Sequence, residues 1–389
     1  MSAFRLSLSR ELKHLHDDRG DRFLALWLMP LLCIFIWWIF SAGQPEQLPV
    51  AVMDQDQSPL SRQLIRLVDA APGVAVTLDA TDSKVAVDAL RQRQIYGLLI
   101  LPKGLQDSIY QGQPAELVLQ LNSQYTTYAS TLQRGIQQAI MTAGVGIHSD
   151  RLQRQGLYPE ASLATVLPVQ VLATPLYNEG PSYEVFLAAT LIPALFQILA
   201  MVVTVSAIGR ELRDGTAKAW LDSAGGSVLM ALVSKLVPYF ALLVLYGAGY
   251  VLLFQLLAPA SYAGSAVNIW FSFVLMIAAA MAIALLLVAL TRNFRMALSL
   301  AGFYSAPAFA YSGQAFPLVA MPELAQYWAS ILPLTHWLKL YNQQWLAGAP
   351  WQAASTPWLV LLSMLLLGSI SGYLLLKRSG FKAESWGAR

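Results

Sequence analysis

Charge is what this sequence has least of. Asp, Glu, Lys and Arg make up 12% of its 389 residues, about half the share of an ordinary soluble chain. Hydrophobic residues make up 56%, and mean hydropathy is +0.52. No soluble fold hides that much apolar surface, so a freely soluble globular protein is excluded. Cysteine occurs once, as Cys33 inside an apolar run, which leaves neither a disulfide framework nor a thiolate metal site. The four histidines, His14, His16, His148 and His336, are scattered over three regions, which argues against a metal centre. GxxxxGK[ST], HExxH and GxSxG are all missing, so the chain has no phosphate loop, zincin helix or nucleophile elbow. No carboxylate, Lys or Arg lies at mid-depth in the apolar runs, where a proton-coupled carrier holds its proton. A net charge of +3 gives no reason to expect a nucleic-acid partner. Any source of energy lies outside this polypeptide, and no cofactor is expected in it.

What is present is a series of long apolar runs. A membrane-crossing helix needs about 20 such residues. Phe23–Pro45 is free of charge and predicts the first span, over 23–43. Val185–Gly209 predicts the second. Between Lys235 and Arg292 no charge occurs for 56 residues, and the APASYAGS stretch around Pro259 divides that run into spans near 230–257 and 266–291. Met296 to about Ser312 begins a fifth, and Pro357–Leu376 makes a sixth. Spans two to six fill residues 185–377, and 378–389 form a short tail. The fold class expected is an α-helical polytopic membrane protein with six transmembrane helices and an inserted extracytoplasmic α/β domain.

Lys and Arg placement sets the orientation. Six crossings put 15 of the 25 basic residues on one side, in 1–22, 210–235, 292–295 and 377–389. Both termini are therefore expected in the cytoplasm. A 22-residue leader with four acids, ahead of so long an apolar stretch, argues against a cleaved signal peptide.

Residues 1–22 space Phe4, Leu8, Leu12 and Leu15 along one helical face, suited to lie in the cytoplasmic headgroup layer or simply to extend the first span. Residues 44–184 read as the extracytoplasmic domain. Leu48–Met53, Val74–Leu78, Ile95–Leu101 and Glu116–Leu121 are predicted strands. Helices are predicted after the cap Ser58 and over Asp82–Arg93. From Tyr125, apolar residues at Ala129, Leu132, Ile136, Ile140, Ala143 and Ile147 predict a long amphipathic helix, covering the sheet or walling a substrate path. Residues 158–183, with four prolines, lead back to the membrane.

Two segments stand out. Gly209–Ser227, GRELRDGTAKAWLDSAGGS, is a polar island between apolar runs, carrying Arg210, Glu211, Arg213, Asp214, Lys218 and Asp222. It reads as a helical turn at a membrane face, suited to contact a soluble partner or merely solvated. Residues 313–355 are apolar and Trp-rich but interrupted by Pro317, Pro322 and Pro333. Half-inserted helices at the outer face fit them, with Trp328, Trp337, Trp345 and Trp351 at headgroup level. Glu323 and His336 read there as polar anchors rather than catalysts.

VAVMDQDQSPLSRQLIRLVDA after span one, GRELRDGTAKAWLDSAG after span two, and SGQAFPLVAMP with LPLTHW before span six give the chain its resemblance to a known family. It resembles the membrane subunits of type-2 ABC exporters with a large extracytoplasmic domain between the first two spans. Glu211, Gly215 and Thr216 match the family's E…GT segment, while Ser223–Gly226 stands where the family often has proline. The resemblance implies a separate cytoplasmic ATPase, which binds ATP and Mg and docks at Arg210, Glu211, Arg213, Asp214, Gly215 and Thr216. It also implies a second permease copy or a paralogue, an inner-membrane location and, in some members, a periplasmic adaptor and an outer-membrane channel. An amphipathic or hydrophobic cargo is expected. The alternatives are a membrane-anchored binding or scaffold protein working through 44–184, and a lipid-directed enzyme, which the absence of clustered acids, histidines or nucleophiles disfavours.

Overall fold

The computed structural model describes residues 3–41, 46–111, 113–154, 182–257 and 261–382. The chain forms two compact units, Met1–Gly43 with Pro175–Arg389, and Gln44–Thr174.

The first unit opens with α1 (Ala3–Asp17). Its inward face carries Ser7, Glu11 and Leu15, while Leu6 and Leu12 point outward. The face expected from Phe4, Leu8, Leu12 and Leu15 is therefore turned partly away from the core. The side chains that replace it are polar ones with partners elsewhere. Asp18 caps the next helix, α2 (Arg19–Phe40), which exposes Trp27, Ile34 and Trp38 along its length.

In the second unit, β1 (Leu48–Asp54) is followed by α3 (Pro59–Asp69), β2 (Val74–Asp79), α4 (Ser83–Arg91) and β3 (Gly97–Leu101). Then come α5 (Leu105–Gln111), β4 (Val118–Leu121) and α6 (Thr126–Arg154). The sheet order is β2-β1-β3-β4, parallel except for the β3–β4 pair. Crossover helices cover both faces, so the central strands read as nearly unbroken apolar runs. Val50 and Val52 join Leu60, Leu64, Leu132 and Ile136 on one side. Ala51 and Met53 join Ala86 and Ala89 on the other. The long amphipathic helix thus covers its own sheet through Leu132 and Ile136. Ser58 caps α3 through the Ser61 amide at 3.0 Å, and Asp82 caps α4. Only α5 had no counterpart among the predicted elements. The proline-rich return at 158–183 lies almost wholly outside the described residues.

The first unit resumes with α7 (Glu184–Arg213), α8 (Ala217–Ser223), α9 (Val228–Leu257) and α10 (Ala266–Thr291). It continues with α11 (Phe294–Ser305), α12 (Ala308–Tyr311), α13 (Glu323–Ser330) and α14 (Pro333–Leu340), and ends in α15 (Trp351–Gly380). Among the described residues five helices are long and apolar enough to cross a membrane: α2, α7, α9, α10 and α15. The span expected at 296–312 is instead the 12-residue α11 and the four-residue α12. Pro307 lies at the break, where it has no N–H to carry the helical ladder on.

Helix α10 is central. Its Phe273 meets Phe196 of α7 edge-on, with ring centroids 4.9 Å apart. Glycines let α15 approach it: a β-carbon on Gly368 would fall 2.9 Å from the Ala282 carbonyl carbon, and one on Gly372 would fall 2.8 Å from Leu285 Cγ. Prolines break the 313–355 segment into short helices, as expected. Its tryptophans differ from the expectation. Trp337 and Trp345 are wholly buried with Tyr250 and Tyr341 in an aromatic core, whereas Trp351 is exposed.

Candidate functional site

The most unusual chemistry in the molecule is a set of charges inside its helical core. Burying a charge is tolerated only when it is paired and hydrogen-bonded. Three helix ends supply these groups. From α1 come Arg10 and Glu11, from the last turns of α7 come Arg210 and Glu211, and from the first turns of α9 come Lys235 and Tyr239. Glu11, Arg210, Glu211 and Lys235 are 2%, 7%, 3% and 1% exposed, so none is a surface ion pair.

Lys235 lies at the centre. Its Nζ donates to Glu11 Oε2 at 2.5 Å and to Glu211 Oε1 at 2.7 Å, and sits 5.2 Å over the Trp220 ring of α8. The other oxygen of each carboxylate is also occupied. Glu11 Oε1 accepts from the Tyr239 hydroxyl at 2.6 Å and from Arg210. Glu211 Oε2 accepts from Arg10 Nη2 at 2.8 Å and from the Thr216 hydroxyl. Arg210 reaches on to Asp21 of α2, which also bonds His14 Nε2 at 2.9 Å. Three cations (Arg10, Arg210, Lys235) balance three anions (Glu11, Asp21, Glu211). A hydrogen bond from Ser234 Oγ to Ser7 Oγ at 2.7 Å ties α1 to α9 beside the network. Burial alone would raise the Glu11 carboxyl. The Lys235 and Arg210 charges, with hydrogen bonds from Lys235 and Tyr239, outweigh it and hold Glu11 below its ordinary 4.5.

The island expected to face a partner is therefore divided. Arg210 and Glu211 turn inward and are spent on the network, a correction that follows from their unlike-charged partners on α1 and α9. Arg213, Asp214 and Gly215 stay exposed, and Thr216 is half-buried. Arg213 forks the Asp214 carboxylate at 2.7 and 3.0 Å, which lowers Asp214. Gly215 ends the helix at φ +68°, a left-handed conformation that glycine adopts without strain. From there α8 runs on until Gly225 and Gly226, both also left-handed.

The other sequence-predicted group lies at the opposite end of α7. Tyr341 donates to the Val185 carbonyl at 2.7 Å, and Gln197 Oε1 accepts from the Leu334 amide at 2.8 Å. Pro333 opens α14, and His336 is buried with Nε2 2.8 Å from the Ser330 carbonyl, so Nε2 carries the hydrogen. Burial lowers the His336 imidazole, against the pull of that carbonyl. Pro317, Pro322 and Glu323 are exposed and do not join it. The two groups thus meet α7 at Val185 and Gln197 on one side and at Arg210 on the other, about 20–38 Å apart along the helix.

Sequence reasoning missed Glu11, Asp21, Lys235 and Tyr239. One signal was available: a lone Lys235 eight residues into an apolar helix demands an acidic partner. Among the described residues no cluster of His, Cys, Asp or Glu could hold a metal ion.

Comparison with known proteins bears on what this arrangement serves. The family model described as ABC-2 family transporter protein matches residues 22–374. The chain is also 27% identical over 100 residues to the linearmycin resistance permease protein LnrN of Bacillus subtilis (strain 168). That match takes in 26% of this chain and 26% of the relative's length.

Proposed function

Because this chain belongs to the ABC-2 transporter family, we propose that it is the membrane-spanning permease subunit of an ATP-driven exporter, powered by a separate ATPase subunit. One observation carries the reading. The buried network fastens α1, α7 and α9 into one brace and leaves Arg213–Thr216 as the exposed turn between α7 and α8. A push on that turn by the ATPase would move α7 and α9 as rigid rods, since their ends share ion pairs. ATP and Mg belong to the ATPase, and this chain supplies the path together with a second permease copy or a paralogue. In this reading the network end faces the cytoplasm, both termini lie there, and the 313–355 segment caps the path on the outer side of the inner membrane. A periplasmic adaptor and an outer-membrane channel would complete the route in a two-membrane cell.

The cargo class is amphipathic or hydrophobic, drug-like or lipid-like. Its support is the apolar surface of the spans, with charges confined to helix ends. The relative's name adds support for outward movement, since resistance is what export would confer. Transport into proteoliposomes that hold the permease and its ATPase tests the reading. Gly215→Pro forces a negative φ where +68° is needed, and Glu211→Lys sets a third cation beside Lys235 and Arg10. Both variants are expected to insert in the membrane and lose at least about 90% of ATP-dependent transport. Normal transport by both would refute the coupling role.

A further inference from the structure

A polar cleft of about 560 Å³ opens beside the exposed turn, lined by Arg213, Asp214, Phe294 and Arg295. Its two walls come from different helices. Arg213 and Asp214 close α7, while Phe294 and Arg295 begin α11 just after the Arg292–Asn293 turn. Gly209 brings the walls together, because a β-carbon there would lie 2.7 Å from Phe294 Cδ2. The charges are unequally committed. Arg213 is neutralised by its fork on Asp214, and its guanidinium rests 5.0 Å over the Phe294 ring. Arg295 is exposed and has no ion-pair partner among the described residues. Two guanidiniums and one carboxylate leave the cleft one positive charge in excess.

We infer that this cleft, which borrows Arg213 and Asp214 from the α7–α8 turn, is a second docking point reaching onto α11, taking one carboxylate side chain of a soluble protein partner against Arg295. The complement of an unpaired guanidinium in a polar recess is a carboxylate held bidentate. The opening has room for the side chain together with its flanking backbone. The inference rests on the permease reading, in which the soluble partner is the ATPase. It gives the ATPase a direct hold on α11, besides its push on α7. The Gly209–Phe294 contact then keeps the two helix ends moving together.

The test uses the full-length chain, affinity-tagged and purified in mild detergent with the ATPase that accompanies it. Arg295→Glu is expected to cut the ATPase retained about tenfold or more, because like charges then face each other across the contact. Arg295→Gln is expected to cut it less, and retention by wild type is expected to fall as salt rises. Arg292→Glu makes the same charge change three residues away, outside the cleft lining, and is expected to change retention less than about twofold. A photo-crosslinker attached at Arg295→Cys in a Cys33→Ala background is expected to label the ATPase. Undiminished retention by Arg295→Glu in a protein that elutes normally would overturn the inference. So would equal losses in Arg292→Glu, or labelling of phospholipid alone. Wild-type protein that brings down no nucleotide-hydrolysing companion would instead overturn the permease reading, and this inference with it.

Discussion

The two ends of α7 are built on opposite principles. At the Arg210 end, six charges from four helices are matched one to one, and every oxygen of Glu11 and Glu211 has a donor. At the Val185 end the packing is aromatic, and polar atoms are left over. Among the described residues, Gln197 Nε2, Thr335 Oγ1 and Trp337 Nε1 are buried without a hydrogen-bond partner. An unmet buried polar group costs about 1–3 kcal/mol. The charged end is therefore the stiff one, held in a single arrangement by pairing. The aromatic end keeps unspent hydrogen-bonding capacity, which a rearrangement admitting water or cargo would satisfy. On the proposed function, such a helix would be held where the ATPase pushes and free to yield at its other end.

The largest effect expected is at the charged end. Lys235→Met keeps the length of the side chain but removes the cation that Glu11 and Glu211 share, leaving two cations against three anions, and should destabilise the helical unit by about 3–5 kcal/mol. Thermal unfolding in detergent, followed by tryptophan fluorescence, measures it. A loss under 1 kcal/mol would mean that the network is not what braces this end.

Acid should loosen the same end only late. Glu11 is depressed in the folded protein, so its contribution is fully present above its ordinary 4.5 and is lost as pH falls through the folded value. Protection of α1 from proteolysis should hold constant from pH 8 to about 5 and fall below that. Loss of protection already between pH 8 and 6 would show that Glu11 is not what holds α1 in place.

The smallest effect belongs to the aromatic end, and it has the opposite sign. Thr335→Val removes an orphan hydroxyl at nearly constant volume and should leave the protein as stable as before, or more stable by up to about 1 kcal/mol. Destabilisation by 2 kcal/mol would show that Thr335 has a partner after all, and the contrast between the two ends would weaken.

Which of this the sequence reveals follows from where each signal lies. Apolar runs and strand–helix alternation are local, so α2, α7, α9, α10, α15 and the parallel strands are readable in advance, down to the Ser58 cap. The network is not local, because Arg10 and Glu211 stand 201 residues apart, and Lys235 and Glu11 stand 224 apart. A charge-rich segment such as GRELRD reads as solvated by default, and only the fold turns Arg210 and Glu211 inward. The α1 face misleads for the same reason. Periodicity marks leucines, whereas the buried positions include Ser7 and Glu11, polar residues whose burial depends on partners in α7 and α9. Trp337 and Trp345 fit an interfacial belt by composition, yet α14 carries them into the core against Tyr250.

The central claim is that α1 and α9 are pushed as one body. Ser7 and Ser234 touch at 2.7 Å, and Cys33 is the sole native cysteine, so Ser7→Cys with Ser234→Cys in a Cys33→Ala background can lock the two helices covalently. ATP-dependent transport by the oxidised and reduced forms is the measurement. The account predicts equal rates, because the disulfide joins parts that already move together. Transport abolished by oxidation and recovered on reduction would show that α1 slides against α9 in each cycle, and would contradict it.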